Sequence, residues 1–572
     1  MIRGIGTSKG IGIGHAVIFN EDPYEVVKKT IQEDDIQAEK KRFVQAKDTF
    51  IEHTNQMIAD LQKKLKEKDK TSLVLHNQIY LIQDEQLQQK VEQCIEKEHI
   101  CVEAAFDEAC NQLIALFRSM NNEAMNQRIA DIIDLREHMF LIFEGRENVN
   151  LTQLKPGTIL IAKDLRPSIT ATMDTEHVVG IVAENGGETS HAAILARALE
   201  IPAVLNAKGI VQSAKNGDTV IIDGDYGEVF VRPIPRTVAI YEKKQVRFLE
   251  KQKELRQYIN KQTLTQDGKT VCLAANIGNE KEAAKAMAAG AEGVGLFRTE
   301  FLFMNGVKMP DEEEQFMAYR AAAVLCKDTF LTIRTLDIGG DKDIPYMGLS
   351  KENNPFLGYR AIRFCLDRLD VFTVQLRAIL RASAYGRIRI MIPMITSVVE
   401  LRQVRQILEK IKRELDSKEI AYDKEIQLGI MVETPAAAIM SEALAAEADF
   451  FSIGTNDLTQ YIMAVDRGNE NVAYLYSTFN PAVLKAIRNI IANAKKANIE
   501  VGMCGEAASN PAMIPLLLAY GLDEFSVSPA KILETRKNIA GWNRQQVEKI
   551  AQEVDKMATE KEIVSYLNDI LS

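Results

Sequence analysis

Two glycines, two hydroxyls and a histidine stand together in the run Gly186-Gly187-Glu188-Thr189-Ser190-His191, and the helix-forming stretch Ala192-Ala193-Ile194-Leu195-Ala196-Arg197 follows at once. Glycine permits a sharp turn and a Ser or Thr hydroxyl caps a helix, so the spacing predicts a histidine at a helix start. There the unpaired N–H groups and the dipole favour an incoming anion, and an imidazole with one free nitrogen is a competent nucleophile near neutral pH. The chemistry this suits is phosphoryl transfer. His191 would carry the group, Thr189 and Ser190 would support it, and Arg197 would reach the same oxygens. On local grounds alone the same residues also make an ordinary turn and cap. The chain has seven histidines and none follows position 191, so any histidine chemistry begins in the first third.

A second set is scattered through the later half: Arg298, Arg334, Asp337, Glu433, Asn456, Asp457, Arg467 and Cys504. Arg298, Arg334 and Arg467 together suit a small polyanion, because guanidinium groups grip phosphate and carboxylate through paired hydrogen bonds. Glu433 and Asp457 offer the hard oxygen ligands that Mg²⁺ takes, usually one or two carboxylates completed by substrate and water. Cys504, a thiol with an ordinary pKa of about 8.5, is a candidate proton donor to a carbanion or enolate. Each has a plain alternative: a salt-bridge arginine, a solvated acid, a core thiol.

What must bring these together is a set of short apolar runs, most of which the residues follow directly. Eight are legible beyond residue 262: Val271 to Ala275, Gly293 to Phe297, Phe330 to Arg334, Arg389 to Ile392, Gln427 to Val432, Phe450 to Gly454, Glu500 to Met503 and Glu524 to Ser528. Alternating with helical segments, they predict a (β/α)8 TIM barrel, whose reactive groups collect where strands end. In the first part, short β-branched runs (residues 10–19, 158–161, 178–182, 219–222 and 229–231) predict an α/β domain around His191. From Tyr24 to Glu144 there is no glycine or proline, and apolar residues recur at spacings of three and four. That stretch reads as two inserted helical hairpins, turning near Lys68-Asp69-Lys70 and Asn121-Asn122. The fold class is therefore α/β multidomain. The expected domains are 1–23 with 146–233 (α/β), 24–145 (helical insertion), 234–261 (linker helix) and 262–572 (barrel).

Composition narrows the function. A net charge of −10 argues against a nucleic-acid surface and suits a basic protein partner. No apolar run approaches a membrane span, and the start offers no signal peptide, so a cytoplasmic protein is expected. The seven scattered cysteines show neither C-x-x-C pairs nor zinc spacing, which points to reduced thiols.

Taken together the motifs resemble the enzyme I family of the bacterial phosphoenolpyruvate (PEP)-dependent sugar phosphotransferase system. The match runs from Gly4-Ile5-Gly6-Thr7-Ser8-Lys9-Gly10 to the C-terminal helices. It is most specific in Gly186 to Arg197, Gly295 to Leu302, Arg334 to Lys342, Asn354 to Arg360 and Asp449 to Tyr461. The resemblance implies that His191 becomes a phosphohistidine in a swivelling domain and that Arg298, Arg334, Asn456, Asp457 and Arg467 hold PEP. It also implies that Glu433 and Asp457 bind Mg²⁺, that Cys504 protonates the enolate of pyruvate, that the helical insertion docks the phosphocarrier protein HPr, and that the barrel forms a homodimer. One departure is Glu188, where the family often has a basic residue. The related pyruvate phosphate dikinase and PEP synthase also need a nucleotide-binding domain, for which this chain shows no G-x-x-x-x-G-K-[ST] motif. A sensor that binds PEP without turnover would not need His191, Glu433, Asp457 and Cys504 together.

Overall fold

Apolar residues at both parities of the strands, with little alternation, mark a sheet covered on two faces. The strands β1 (Ile2–Arg3), β2 (Ile5–Ser8), β3 (Ile11–Phe19), β4 (Thr158–Ala162), β5 (Val178–Ala183), β6 (Ala203–Leu205), β7 (Thr219–Asp223) and β8 (Glu228–Val231) form one such sheet in the order β1-β8-β7-β3-β4-β5-β6-β2. This computed structural model describes residues 1–19, 26–64, 70–119, 123–145, 154–165, 173, 176–187, 190–259, 261–304, 308–339, 344–350 and 352–571. Strands β3 to β6 run parallel and the outer pairings are antiparallel. On one face Leu160, Ala162, Ile181 and Ala183 pack with Ala192, Ala193, Leu195 and Ala196. Ile159, Ile161, Val182 and Val204 share the opposite core with Val220 and Ile222.

Among the described residues the helical insertion contains α1 (Ile36–Lys64), α2 (Lys70–Gln83), α3 (Glu85–Glu98), α4 (Val102–Ser119) and α5 (Glu123–Phe143). Phe43, Phe50, Val91, Phe106, Leu135 and Met139 fill its centre. The expected turn residues Lys68, Asp69, Asn121 and Asn122 lie outside the described residues. The two-hairpin reading needs correction elsewhere, because two more breaks divide the stretch without glycine or proline. Asp84 accepts from the N–H groups of Gln86 and Leu87 at 2.9 and 3.0 Å, opening α3 as an N-cap. His99 ends α3 in the left-handed region, with φ 49°.

Helix α6 (His191–Ala198) carries the candidate histidine, and α7 (Pro235–Arg256) follows the sheet. Its first turns are tied to the sheet: Tyr241 donates to Glu228 at 3.2 Å and Gln245 to the Ile11 carbonyl at 2.8 Å. Beyond Lys251 the chain belongs to a second compact unit, Gln252–Ser572. In that unit Lys537 pairs with Glu254 at 2.6 Å and the buried Arg536 donates to the Tyr258 carbonyl at 2.8 Å. No helix among the described residues is long and apolar enough to cross a membrane.

The second unit is a closed, all-parallel barrel of β9 (Cys272–Ile277), β10 (Val294–Arg298), β11 (Leu331–Arg334), β12 (Ile388–Ile392), β13 (Gln427–Val432), β14 (Phe450–Ile453), β15 (Glu500–Met503) and β16 (Glu524–Val527). All eight expected strands are present, shifted by at most two residues. The lower interior is filled. Arg389 reaches Glu500 and Glu524 at 2.9 and 2.8 Å and Thr332 at 3.0 Å, with its guanidinium 3.9 Å from the Phe330 ring centre. Gly295 leaves room for this plug, since a Cβ there would lie 2.1 Å from a Glu524 oxygen.

Candidate active site

The carboxyl ends of the barrel strands open on a cavity of about 550 Å³. Its walls include Arg298, Arg334, Glu433, Asn456, Asp457, Arg467 and Cys504, so every barrel residue singled out from the sequence as a ligand or acid meets there. Arg298 and Arg334 end β10 and β11 and stand in register with each other. Glu433 and Cys504 each follow the last residue of a strand, β13 and β15. Asn456 and Asp457 lie in the first turn of the helix Thr455–Met463, directly beyond β14.

Charge pairing organises the walls. Arg334 bonds Glu300 at 2.5 Å and Asp337 at 2.9 Å. Asp337 also accepts from Arg360 at 2.7 Å, and Arg360 reaches Asp457 at 3.0 Å. Burial works against the charge on Arg334, but Glu300, Asp337 and Glu433 outweigh it and hold the guanidinium above its ordinary pKa. Arg360 is held up in the same way by Asp337 and Asp457. The tyrosine Tyr461 accepts from Arg360 at 3.2 Å and donates to the Phe356 carbonyl.

Glu433 is the strained member of this set. Burial, with the carboxylates of Asp457 and Asp337 close by, pushes its carboxyl up to about 8 despite Arg334 and Arg360. One oxygen accepts from the Met394 N–H at 2.7 Å, and Met394 holds φ 58° to aim that donor. A Cβ at Gly454 would lie 2.7 Å from the other oxygen, so glycine is what lets the carboxylate lie there. Three acidic groups crowded out of water are relieved by a cation, and Glu433 with Asp457 supplies the oxygen donors Mg²⁺ prefers. Among the described residues no group of three His, Cys, Asp or Glu side chains forms a closed metal cage. A pair of carboxylates fits an ion that keeps water and substrate oxygens.

The floor is apolar: Leu296, Met391, Met431 and Phe450 surround Cys504. Burial pushes the Cys504 thiol up to about 11, against the nearby Ser452 hydroxyl and the charge of Arg334, and the thiol donates to the Ile453 carbonyl at 3.8 Å. It is therefore a thiol, not a thiolate, at neutral pH.

In the first unit, Ser190 caps α6 as its spacing predicts, accepting from the Ala193 N–H at 3.3 Å and donating to the Gly187 carbonyl at 2.8 Å. Gly186 turns the chain with φ 104°. His191 is the first residue of α6, while Thr189 and Glu188 lie outside the described residues. Arg197, in the last turn, donates to the Thr7 carbonyl at 3.3 Å, which ties α6 to β2.

Glu300 and Arg360 are ion-paired wall residues that were not singled out from the sequence. Both occur inside motifs quoted above, Gly295 to Leu302 and Asn354 to Arg360. Arg360 escaped because it closes a long loop instead of ending a strand. The next residue, Ala361, takes φ 53°, a conformation no pattern announces.

Comparison with known proteins finds three family models along the chain. The PEP-utilising enzyme N-terminal domain matches residues 3–128, the PEP-utilising enzyme mobile domain matches 154–227 and the PEP-binding domain matches 252–544. The chain is 42% identical to phosphoenolpyruvate-protein phosphotransferase of Bacillus sp. (strain S) over 571 residues, covering 100% of this chain and 98% of that protein. The protein of the same name from Geobacillus stearothermophilus gives 42% with the same coverage. That from Bacillus subtilis (strain 168) gives 41% over 99% of each chain. With three successive domains matched in order and relatives aligned nearly end to end, the chain belongs to the PEP-utilising enzymes, in the family of phosphoenolpyruvate-protein phosphotransferases.

Proposed function

We propose that this enzyme transfers the phosphoryl group of PEP to its own His191 and then to a histidine of the phosphocarrier protein HPr, releasing pyruvate, as the first step of sugar uptake by a phosphotransferase system. The observation that carries the reading is the convergence of cationic, carboxylate and thiol side chains from separate strand ends on one cavity. Arg298, Arg334, Arg467, Asn456 and Asp457 hold the phosphate and carboxylate of PEP, with Arg360 offsetting the carboxylates of Asp337 and Asp457. Glu433 and Asp457 hold Mg²⁺, which supplies further neutralisation of the anionic substrate when bound.

Catalysis in this arrangement is mainly positioning and charge stabilisation. A ring nitrogen of His191 attacks phosphorus in line. The N–P bond forms as the bond to the enolate oxygen breaks. The Cys504 thiol gives its proton to C3 of the enolate, yielding pyruvate, and the thiolate recovers a proton from water. Thr189, Ser190 and Arg197 support the phosphoryl group on His191. The domain carrying it then presents it to HPr, which docks on the helical insertion. The enzyme works in the cytoplasm as a homodimer joined through the barrel.

Incubation of the full chain with ³²P-labelled PEP and Mg²⁺ tests the reading. The expected result is one acid-labile phosphate per chain on His191, pyruvate release that continues only when HPr is added, and no labelling of His191→Ala. Labelling that persists in His191→Ala, or that requires ATP, would overturn it.

A further inference from the structure

Behind the two strand-end arginines runs a chain of buried polar side chains that faces away from the cavity. Thr299, the residue after Arg298, donates its hydroxyl to the Arg334 carbonyl at 2.9 Å. The amide of Gln375, on the helix Leu369–Ala382, donates to the Thr299 hydroxyl at 3.3 Å and to the Tyr319 hydroxyl at 3.2 Å, and accepts from the Leu336 N–H at 2.9 Å. Tyr319 passes its own proton to Gln315 at 3.1 Å, and Gln315 donates to the Pro310 carbonyl at 3.0 Å. Thr299 and Tyr319 are 0% exposed and Gln375 and Gln315 are 1% exposed.

An apolar side chain would fill this space at less desolvation cost, and a buried amide is tolerated only because its bonds are made. What the amide adds is direction. Arg298 and Arg334 are register partners on neighbouring strands. Both strands end at that pair, and Gln375 bridges the segments that follow them, holding Thr299 on one side and Leu336 on the other. Because these side chains are buried, bulk water does not compete for their bonds, and the relay fixes the distance between the two strand ends.

We propose that Gln375, acting through Thr299, is a positioning residue that sets the spacing at which Arg298 and Arg334 meet an enol phosphate. The proposal rests on the reading of these arginines as PEP ligands. The test is titration of PEP with Mg²⁺ into the full chain carrying His191→Ala, so that the substrate binds without being consumed. Thr299→Val keeps the volume and removes the hydroxyl, and Gln375→Met keeps the length and removes the amide. Each should weaken PEP binding about tenfold. Thr299→Ser, which keeps the hydroxyl, should restore binding to within about twofold, and Thr299→Val with Gln375→Met together should cost little more than either alone, as members of one unit do. HPr affinity should not change in any of them. Loss of thermal stability in the valine and methionine variants with PEP affinity intact would reduce the relay to a structural role and overturn the proposal. Arg334→Lys separates the two levels. If it abolishes PEP binding while the relay variants bind normally, the relay fails alone. If it too binds PEP normally, the site reading fails and takes the relay's purpose with it.

Discussion

Cys504 keeps its proton because its surroundings are apolar, and a proton donor to an enolate must hold one to give. The raised pKa, about 11, means the donor form persists across the neutral range and is lost only as pH rises through that value. Cys504→Ala should therefore lower steady-state pyruvate formation about 100-fold while leaving PEP affinity within about threefold, because in the proposed mechanism the thiol acts after the phosphoryl group has moved. Rapid-quench measurement of His191 phosphorylation beside pyruvate release checks this, and equal slowing of both steps would count against the assignment. Strand-end residues such as Arg298 and Glu433 were legible in the sequence because the runs that carry them are short, β-branched and bounded. Arg360 and the aim of the Glu433 carboxylate were not. They depend on Ala361 at φ 53° and Met394 at φ 58°, backbone conformations that only the assembled loops impose on such residues.

At the scale of elements, the helical insertion holds an imidazole in its core. His138 on α5 is 4% exposed, its ring 4.7 Å from that of Phe50 and 6.4 Å from that of His53, and neither ring nitrogen has a hydrogen-bond partner among the described residues. Burial, with a smaller push from His53, lowers its pKa to about 4. An unfolded histidine titrates near 6.5, so between those values the unfolded chain binds the extra proton and stability falls as pH falls. The loss is complete only below about 4 and amounts to roughly 3 kcal/mol. Thermal melts at pH 7 and pH 5 should show the insertion weakened at the lower pH, and His138→Leu should flatten that dependence; an unchanged slope in the variant would refute it. The barrel was readable because eight similar units repeat one pattern, whereas β2 and β6 went unseen. Each is at most four residues long and is defined by its partners, β2 by β6 and β6 by β2 and β5. The breaks at Asp84 and His99 were hidden for a similar reason: a cap inside a strongly helical stretch is visible only when the chain turns there.

For the whole molecule, the two compact units have separate hydrophobic cores, and α7 passes from one to the other. They should unfold as separate cooperative steps in calorimetry. Pyruvate with Mg²⁺ at saturating concentration, which occupies the barrel without phosphorylating His191, should raise only the barrel's transition, by several degrees. A single transition that moves as one would contradict this. The helical block is visible in the sequence, since a stretch free of glycine interrupts the strands of one sheet. The plug of Arg389, Glu500, Glu524 and Thr332 beneath the cavity has a kinetic meaning as well. A vessel stoppered at its base is filled and emptied from its rim. Spent pyruvate must back out by the route its parent took in, so departure and the next arrival take turns, and a high level of the ketoacid would obstruct traffic at the threshold.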